Sequence, residues 1–235
     1  RARFTGLRNA LLRRRTLAAV PEGQPFFFFP LQYEPETSLE TQSRGWWNQR
    51  EVIRWISQSL PIDRWLYVKE HPLMLSGIRP AGFYRTILSL PRVRLLDQRL
   101  RGDDVSRRAE AVLTITGTAG WEGLMWGRPV ALFGHAFYEE FEEGVVRVER
   151  PDELPRMLRS FRDREVPEEP LLAYIAAVLA RTPEGIFIEP RTYPDAAGVV
   201  LGERNLDAIA DVILQRWHGV GASQPVTAAG IAEGT

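Results

Sequence analysis

Six short segments that are apolar nearly throughout, 25–29, 65–70, 93–96, 111–115, 129–133 and 145–148, are separated by stretches long enough to hold helices. A strand with one wet face alternates polar and apolar residues. One that is apolar throughout must be covered on both sides, which is the signature of a parallel sheet between helical layers. Phe26-Phe27-Phe28-Phe29, set between Pro25 and Pro30, is the clearest case. Four residues are too few for a helix and far short of the ~20 that cross a bilayer, so the run reads as a buried strand. Helices fit at roughly 47–60, 80–89, 103–109, 119–126, 151–163, 167–181 and 203–217. In the first, Trp47, Val52, Ile53, Trp55, Ile56 and Leu60 form one broad apolar side at helical spacing. Strands alternating with helices give an α/β fold, a parallel sheet flanked by helices.

At 235 residues the chain is long enough for one large domain or two small ones. Acids and bases balance at 30 each, so no global field favours nucleic acid, and none is expected as a partner. The absence of cysteine excludes disulfides, thiolate chemistry and a Cys-based metal site. Residues 1–20 read as a basic helix, with Arg13, Arg14 and Arg15 clustered and Leu7, Leu11 and Leu12 on one side. Such a helix suits a linker from a preceding domain, or a contact with anionic lipid at the inner-membrane face of the cytoplasm. Residues 21–218 then form one domain with C-terminal helices, and 219–235, rich in Gly, Ala, Ser and Thr, read as a disordered tail. The chain opens on Arg1 rather than Met and is read as part of a longer protein.

Ligands of an open parallel sheet sit beyond the carboxyl ends of its strands. After the first strand comes Pro30-Leu31-Gln32-Tyr33-Glu34-Pro35-Glu36-Thr37-Ser38, with two carboxylates and an amide. Pro35 holds Glu34 extended, so Glu34 and Glu36 point differently; one facing the crevice would suit a base or nucleophile, while both could equally be solvated loop acids. After the second strand, Pro72 keeps His71 extended at the sheet edge, with Lys69, the only lysine, on the same side and Glu70 opposite. Thr114-Ile115-Thr116-Gly117-Thr118-Ala119-Gly120-Trp121-Glu122 then runs from strand through a small-residue loop into a helix, a backbone suited to phosphate. Thr116 and Thr118 offer hydroxyls, and Gly117 and Gly120 allow close approach. Glu122 suits either the helix dipole or a ribose hydroxyl. The loop matches neither the Walker pattern nor G-x-G-x-x-G. His135 and Tyr138 follow the fifth strand and line the same crevice, unless Phe137 and Tyr138 pack beneath the loop. The acidic run Glu139, Glu140, Glu142 and Glu143 has no histidine at ligand spacing, and no metal or cofactor is expected.

Together, residues 30–37, 67–72, 114–122 and 127–138 resemble the bacterial capsule polysaccharide biosynthesis proteins, a family that includes the Kdo transferases. The similarity covers about residues 24–150. It implies a GT-B-type glycosyltransferase with two Rossmann-like domains across a cleft, this chain being mainly the C-terminal, donor-binding half. The donor would be CMP-Kdo or a similar nucleotide sugar, and the acceptor a growing glycan or glycolipid. By the same resemblance His71, with Lys69 beside it, would meet the nucleotide phosphate. Thr116, Gly117, Thr118 and Glu122 would hold phosphate and ribose. Glu36, standing where the transferases usually carry Asp, would be the nucleophile of a retaining reaction, assisted by His71. Gln32, Glu34, His135 and Tyr138 would line the sugar site. Two other functions fit the same motifs: a nucleotide-sugar epimerase of the same architecture, and a non-catalytic nucleotide-binding component of polysaccharide export.

Overall fold

The computed structural model describes residues 16–17, 19–35, 37–72, 74, 79–182 and 197–221. Its contacts divide the chain into two compact units, 1–173 and 174–235, where the sequence suggested one domain over 21–218. The first unit holds a seven-stranded sheet: β1 (Thr16–Leu17), β2 (Phe26–Pro30), β3 (Trp65–Lys69), β4 (Val93–Leu96), β5 (Ala111–Thr114), β6 (Val130–Leu132) and β7 (Val145–Arg147). Every pairing is parallel. The strand order is β1-β4-β3-β2-β5-β6-β7. From β2 the chain winds outward through β3 and β4, then returns to the other side of β2 and winds outward through β5, β6 and β7. The direction reverses between β2 and β5, the switch point where such sheets open a crevice.

The helices are α1 (Thr37–Gln42), α2 (Gln49–Ser59), α3 (Ala81–Ser89), α4 (Gly102–Arg108), α5 (Ala119–Met125), α6 (Leu154–Ser160), α7 (Glu168–Arg181), α8 (Ala197–Val200) and α9 (Glu203–Gly221). On one face of the sheet Phe27, Phe29, Leu66, Val68, Leu113, Ile115 and Phe133 join Val52, Ile53 and Ile56 of α2, Ile87 of α3, and Leu154 and Leu158 of α6. On the other, α5 lies so close to β5 that a Cβ on Gly123 would stand 2.7 Å from Val112 Cγ2. All four phenylalanines of β2 are 0–2 % exposed, because alternate rings feed two different cores. Each such burial stabilises by roughly 1.5–3 kcal/mol. Helix α2 is capped by Asn48, whose side chain accepts the Glu51 N–H.

Two expectations at the ends of the chain are corrected. Thr16 and Leu17 are extended rather than part of a helix over 1–20, pairing with Leu95 and Leu96. The open edge of β4 offers backbone hydrogen bonds that outweigh the helical spacing of a few leucines; residues 1–15 lie outside the described residues. At the other end α9 continues to Gly221, past the start of the tail expected at 219, and 222–235 are likewise outside.

Candidate functional site

The carboxyl ends of β2, β3 and β5 meet at the switch point, and buried polar side chains join the loops that follow them. Beyond β2 the chain keeps parallel register for one more bond, from Leu31 N to Lys69 O at 2.8 Å. Gln32 is then 7 % exposed and reaches across to the loop after β5. Its Nε2 donates to Thr116 Oγ1 at 2.6 Å, and its Oε1 accepts the Thr116 N–H at 3.1 Å. Behind it Gln49, at the start of α2, accepts the Gln32 N–H at 2.7 Å and donates to Gln32 O and to Glu34. A glutamine buried at a helix start has no apolar periodicity to betray it, and its polar neighbours Asn48 and Arg50 suggest solvent instead.

The second support is Arg79, 4 % exposed just before α3. Its Nε donates to Glu70 Oε2 at 2.9 Å, its Nη2 to Gln32 O, and its Nη1 lies 2.5 Å from Glu34 Oε2. The Nη1 contact is an ion pair by distance, without the angle of a hydrogen bond. Glu70 is itself saturated, accepting also from the His71 N–H at 2.7 Å and from Tyr84 OH at 2.5 Å. Burial, and then that bond to Glu70, push the Tyr84 hydroxyl well above its ordinary pKa. One guanidinium therefore ties the loop after β2 to the loop after β3, with a fork that matches two carboxylates and a carbonyl.

Across the switch point the loop after β5 is built from small groups. Gly117 N–H donates to Thr114 Oγ1 at 3.1 Å, and Gly117 O accepts from Tyr138 OH at 2.5 Å. Tyr138 is fully buried under the loop, its ring stacked 6.1 Å from that of Trp121. Burial first, and the nearby Glu122 second, raise its hydroxyl pKa. A Cβ on Gly120 would stand 2.2 Å from Tyr138 Oη, so the glycine is needed for the tyrosine rather than for an arriving phosphate. Gly134 is confined in the same way: its Cβ would meet Gln42 O at 2.5 Å and Ile115 O at 2.9 Å.

These contacts sort the residues expected from the sequence. The N–H groups of Thr116 and Gly117 already have partners, as does the Gln32 amide, and Tyr138 does not line the crevice but props its wall. Thr118, by contrast, is exposed, and its hydroxyl makes no cap bond to α5. Lys69 is buried at the end of β3, with Nζ 3.4 Å from Glu70 O. Desolvation lowers its pKa, while Glu70, Asp97 and Glu122 pull it back upward. Glu122 lies in the first turn of α5, and its carboxyl is raised by desolvation, then by Asp103, with Lys69 opposing. Lys69 and Glu122 thus sense each other across the crest of the sheet.

His71 is half-buried, its ring edge-on to Tyr33 with centroids 6.0 Å apart. Glu34 faces inward onto Gln49 and Arg79. Glu36 lies outside the described residues. His135 is gathered into a separate cluster. Arg44 Nε donates to its Nε2 at 2.7 Å, which assigns the proton to Nδ1, 3.0 Å from Glu139. Sequence reasoning missed Arg79, Gln49, Tyr84 and Arg44. None stands at a strand end, and no spacing announces them.

A parallel sheet with a reversal in strand order, opening there onto loops of hydroxyl, carboxylate and imidazole groups, defines a Rossmann-like α/β fold. The model of one family, the capsule polysaccharide biosynthesis proteins, matches residues 8–177, and the chain belongs to that family. No curated protein matches the sequence. Among solved structures the chain is similar to Thermosulfurimonas dismutans KpsC, a beta Kdo 2,7 transferase. That match has 21% identity and a TM-score of 0.45, covering 63% of this chain and 45% of the other. It is also similar to the UDP-GlcNAc 2-epimerase of Methanocaldococcus jannaschii, with 12% identity and a TM-score of 0.49, covering 75% and 50%. The chain spans about half the length of these solved proteins. Among the described residues no helix is long and apolar enough to cross a membrane.

Proposed function

We propose that this chain is the nucleotide-sugar-binding half of a glycosyltransferase that acts in capsule or surface polysaccharide assembly. The observation that carries the reading is the Gln32–Thr116 bridge at the switch point of a chain in the capsule family. It holds together the two loops between which a nucleotide would lie. On this reading the exposed Thr118 hydroxyl and the start of α5 meet a phosphate, Glu122 accepts from a ribose hydroxyl, and His71 donates to the phosphate from the β3 side. Lys69 contributes its charge from beneath, through the field it shares with Glu122.

The donor is a CMP-Kdo-like nucleotide sugar and the acceptor a growing glycan or glycolipid, met on the cytoplasmic side of the inner membrane. Glu36 attacks the anomeric carbon as the nucleotide leaves, and an acceptor hydroxyl then displaces the enzyme carboxylate, retaining configuration. Calorimetric titration of the folded chain with CMP and UDP tests the reading. Saturable CMP binding that weakens in Thr118→Ala and Glu122→Gln is expected; failure to bind either nucleotide overturns it. In the longer protein, transfer that survives Glu36→Gln removes the nucleophile. Release of an isomerised sugar nucleotide without acceptor assigns epimerisation instead.

A further inference from the structure

At the amino end of the sheet, the opposite end from the crevice, lies a recess of about 470 Å³ lined by Pro21, Gly23, Gln24, Arg107, Arg108 and Arg128, among others. Its volume falls in the range of small-molecule sites. Arg107 and Arg108 close α4, Arg128 precedes β6, and the segment 21–25 leads into β2. The helix dipole accounts for cations at the end of α4 but not for Arg128.

Each guanidinium is oriented by a neutral group. Arg107 lies over the Trp126 ring, 4.9 Å from its centroid. Arg108 Nη2 donates to Pro21 O at 3.3 Å. Arg128 donates through Nε to Arg107 O at 3.1 Å, and its two Nη groups have no partner among the described residues. Among the described residues none of the three has a carboxylate partner. Glu110 is engaged 2.6 Å away by Arg64, Asp103 accepts from Trp126 Nε1, and Glu22, next in the chain to Pro21, pairs with none of them. Gln24 adds a neutral donor, because its Oε1 accepts from Tyr67 OH at 2.5 Å and the amide nitrogen has no partner among the described residues. Among the described residues no anion answers these three pre-oriented forks and the amide around one concavity. That is the donor set that selects phosphate oxygens over a lone carboxylate.

We propose that this recess binds a phosphate group, as a second anion site separate from the nucleotide crevice. The inference does not rest on the nucleotide reading. The phosphate arrives either free, as inorganic phosphate or a small phosphate ester, or as the headgroup of an anionic lipid.

The test is calorimetric titration of the whole chain with inorganic phosphate at low ionic strength, and co-sedimentation with phosphatidylglycerol vesicles against phosphatidylcholine controls. Wild type is compared with Arg128→Gln and with the triple variant Arg107→Gln/Arg108→Gln/Arg128→Gln. Thermal melts establish that these surface substitutions leave the fold intact. Saturable binding is expected, weakened by roughly tenfold or more in the triple variant and by less in Arg128→Gln, while the CMP binding that Thr118→Ala and Glu122→Gln weaken persists in the same proteins. Phosphate binding without vesicle binding assigns the free ligand, and vesicle binding that the triple variant loses assigns the lipid. Absence of both, or binding that the triple variant retains at full strength, overturns the proposal. If CMP fails to bind wild type, only the nucleotide reading falls.

Discussion

The two sides of the switch point are built on opposite principles. On the β3 side the loops are held by charge: a buried arginine answers Glu34 and Glu70, and Gln49 closes the remaining valences. On the β5 side they are held by closeness. Gly117, Gly120 and Gly134 let backbone, tyrosine and threonine approach to distances that a methyl group would forbid. A ligand between them would therefore meet side-chain functional groups on one wall and main chain with hydroxyls on the other. The first wall fails when a charge is lost, the second when volume is added.

The largest test of that contrast is Arg79→Ala. It leaves Glu70 buried without its cation, and a loss of about 3–5 kcal/mol of stability is expected in urea denaturation. Arg79→Lys should recover only part, because a single ammonium cannot serve both carboxylates and a carbonyl. If Arg79→Ala melts like wild type, the wall is not held by charge. On the other wall Gly120→Ala should cost about 1–3 kcal/mol by overpacking against Tyr138. Pairing it with Tyr138→Phe should restore part of that loss in a double-mutant cycle, while strict additivity would show that the two do not share the space. Gln32→Leu, which severs the bridge between the walls, is expected to cost roughly 1–2 kcal/mol and to weaken nucleotide binding more than it lowers the melting temperature.

The smallest effect is one of pH. Glu122 has a folded pKa raised above its ordinary 4.5. Its contribution is fully present below that value and is lost as pH rises through the folded pKa. Relative to Glu122→Gln, wild type should therefore lose stability on going from acid toward neutral pH. A parallel pair of curves would mean that the carboxyl is solvated as freely as in the unfolded chain.

Much of this architecture is written in local composition. All six expected strands are present within a residue or two, because runs such as Phe26–Phe29 and Val130–Leu132 have no fold in which they are not buried on both sides. What escaped notice is what depends on partners distant in the chain. Thr16–Leu17 is a strand only because β4 has an open edge. Helix α1 buries Leu39 alone, so its sequence carries no periodicity. Arg79 follows no pattern, and its importance exists only once Glu34 and Glu70 stand beside it. The glycines of the β5 loop were legible as close approaches but ambiguous in what approaches: at Gly120 it is a tyrosine from 18 positions downstream. The motif positions fall largely in the loops that follow the strands. Several, Thr116 and Gln32 among them, serve each other.

The bridge from Gln32 to Thr116 uses both ends of one amide against both polar groups of one residue. The gap between the walls is therefore gauged by the reach of a single side chain. A shorter Asn would draw the loops together or abandon one contact, and a Glu would accept from both the Thr116 N–H and its hydroxyl but bring an unpaired charge into a buried position. The width of the opening is a property that selection can tune one methylene at a time.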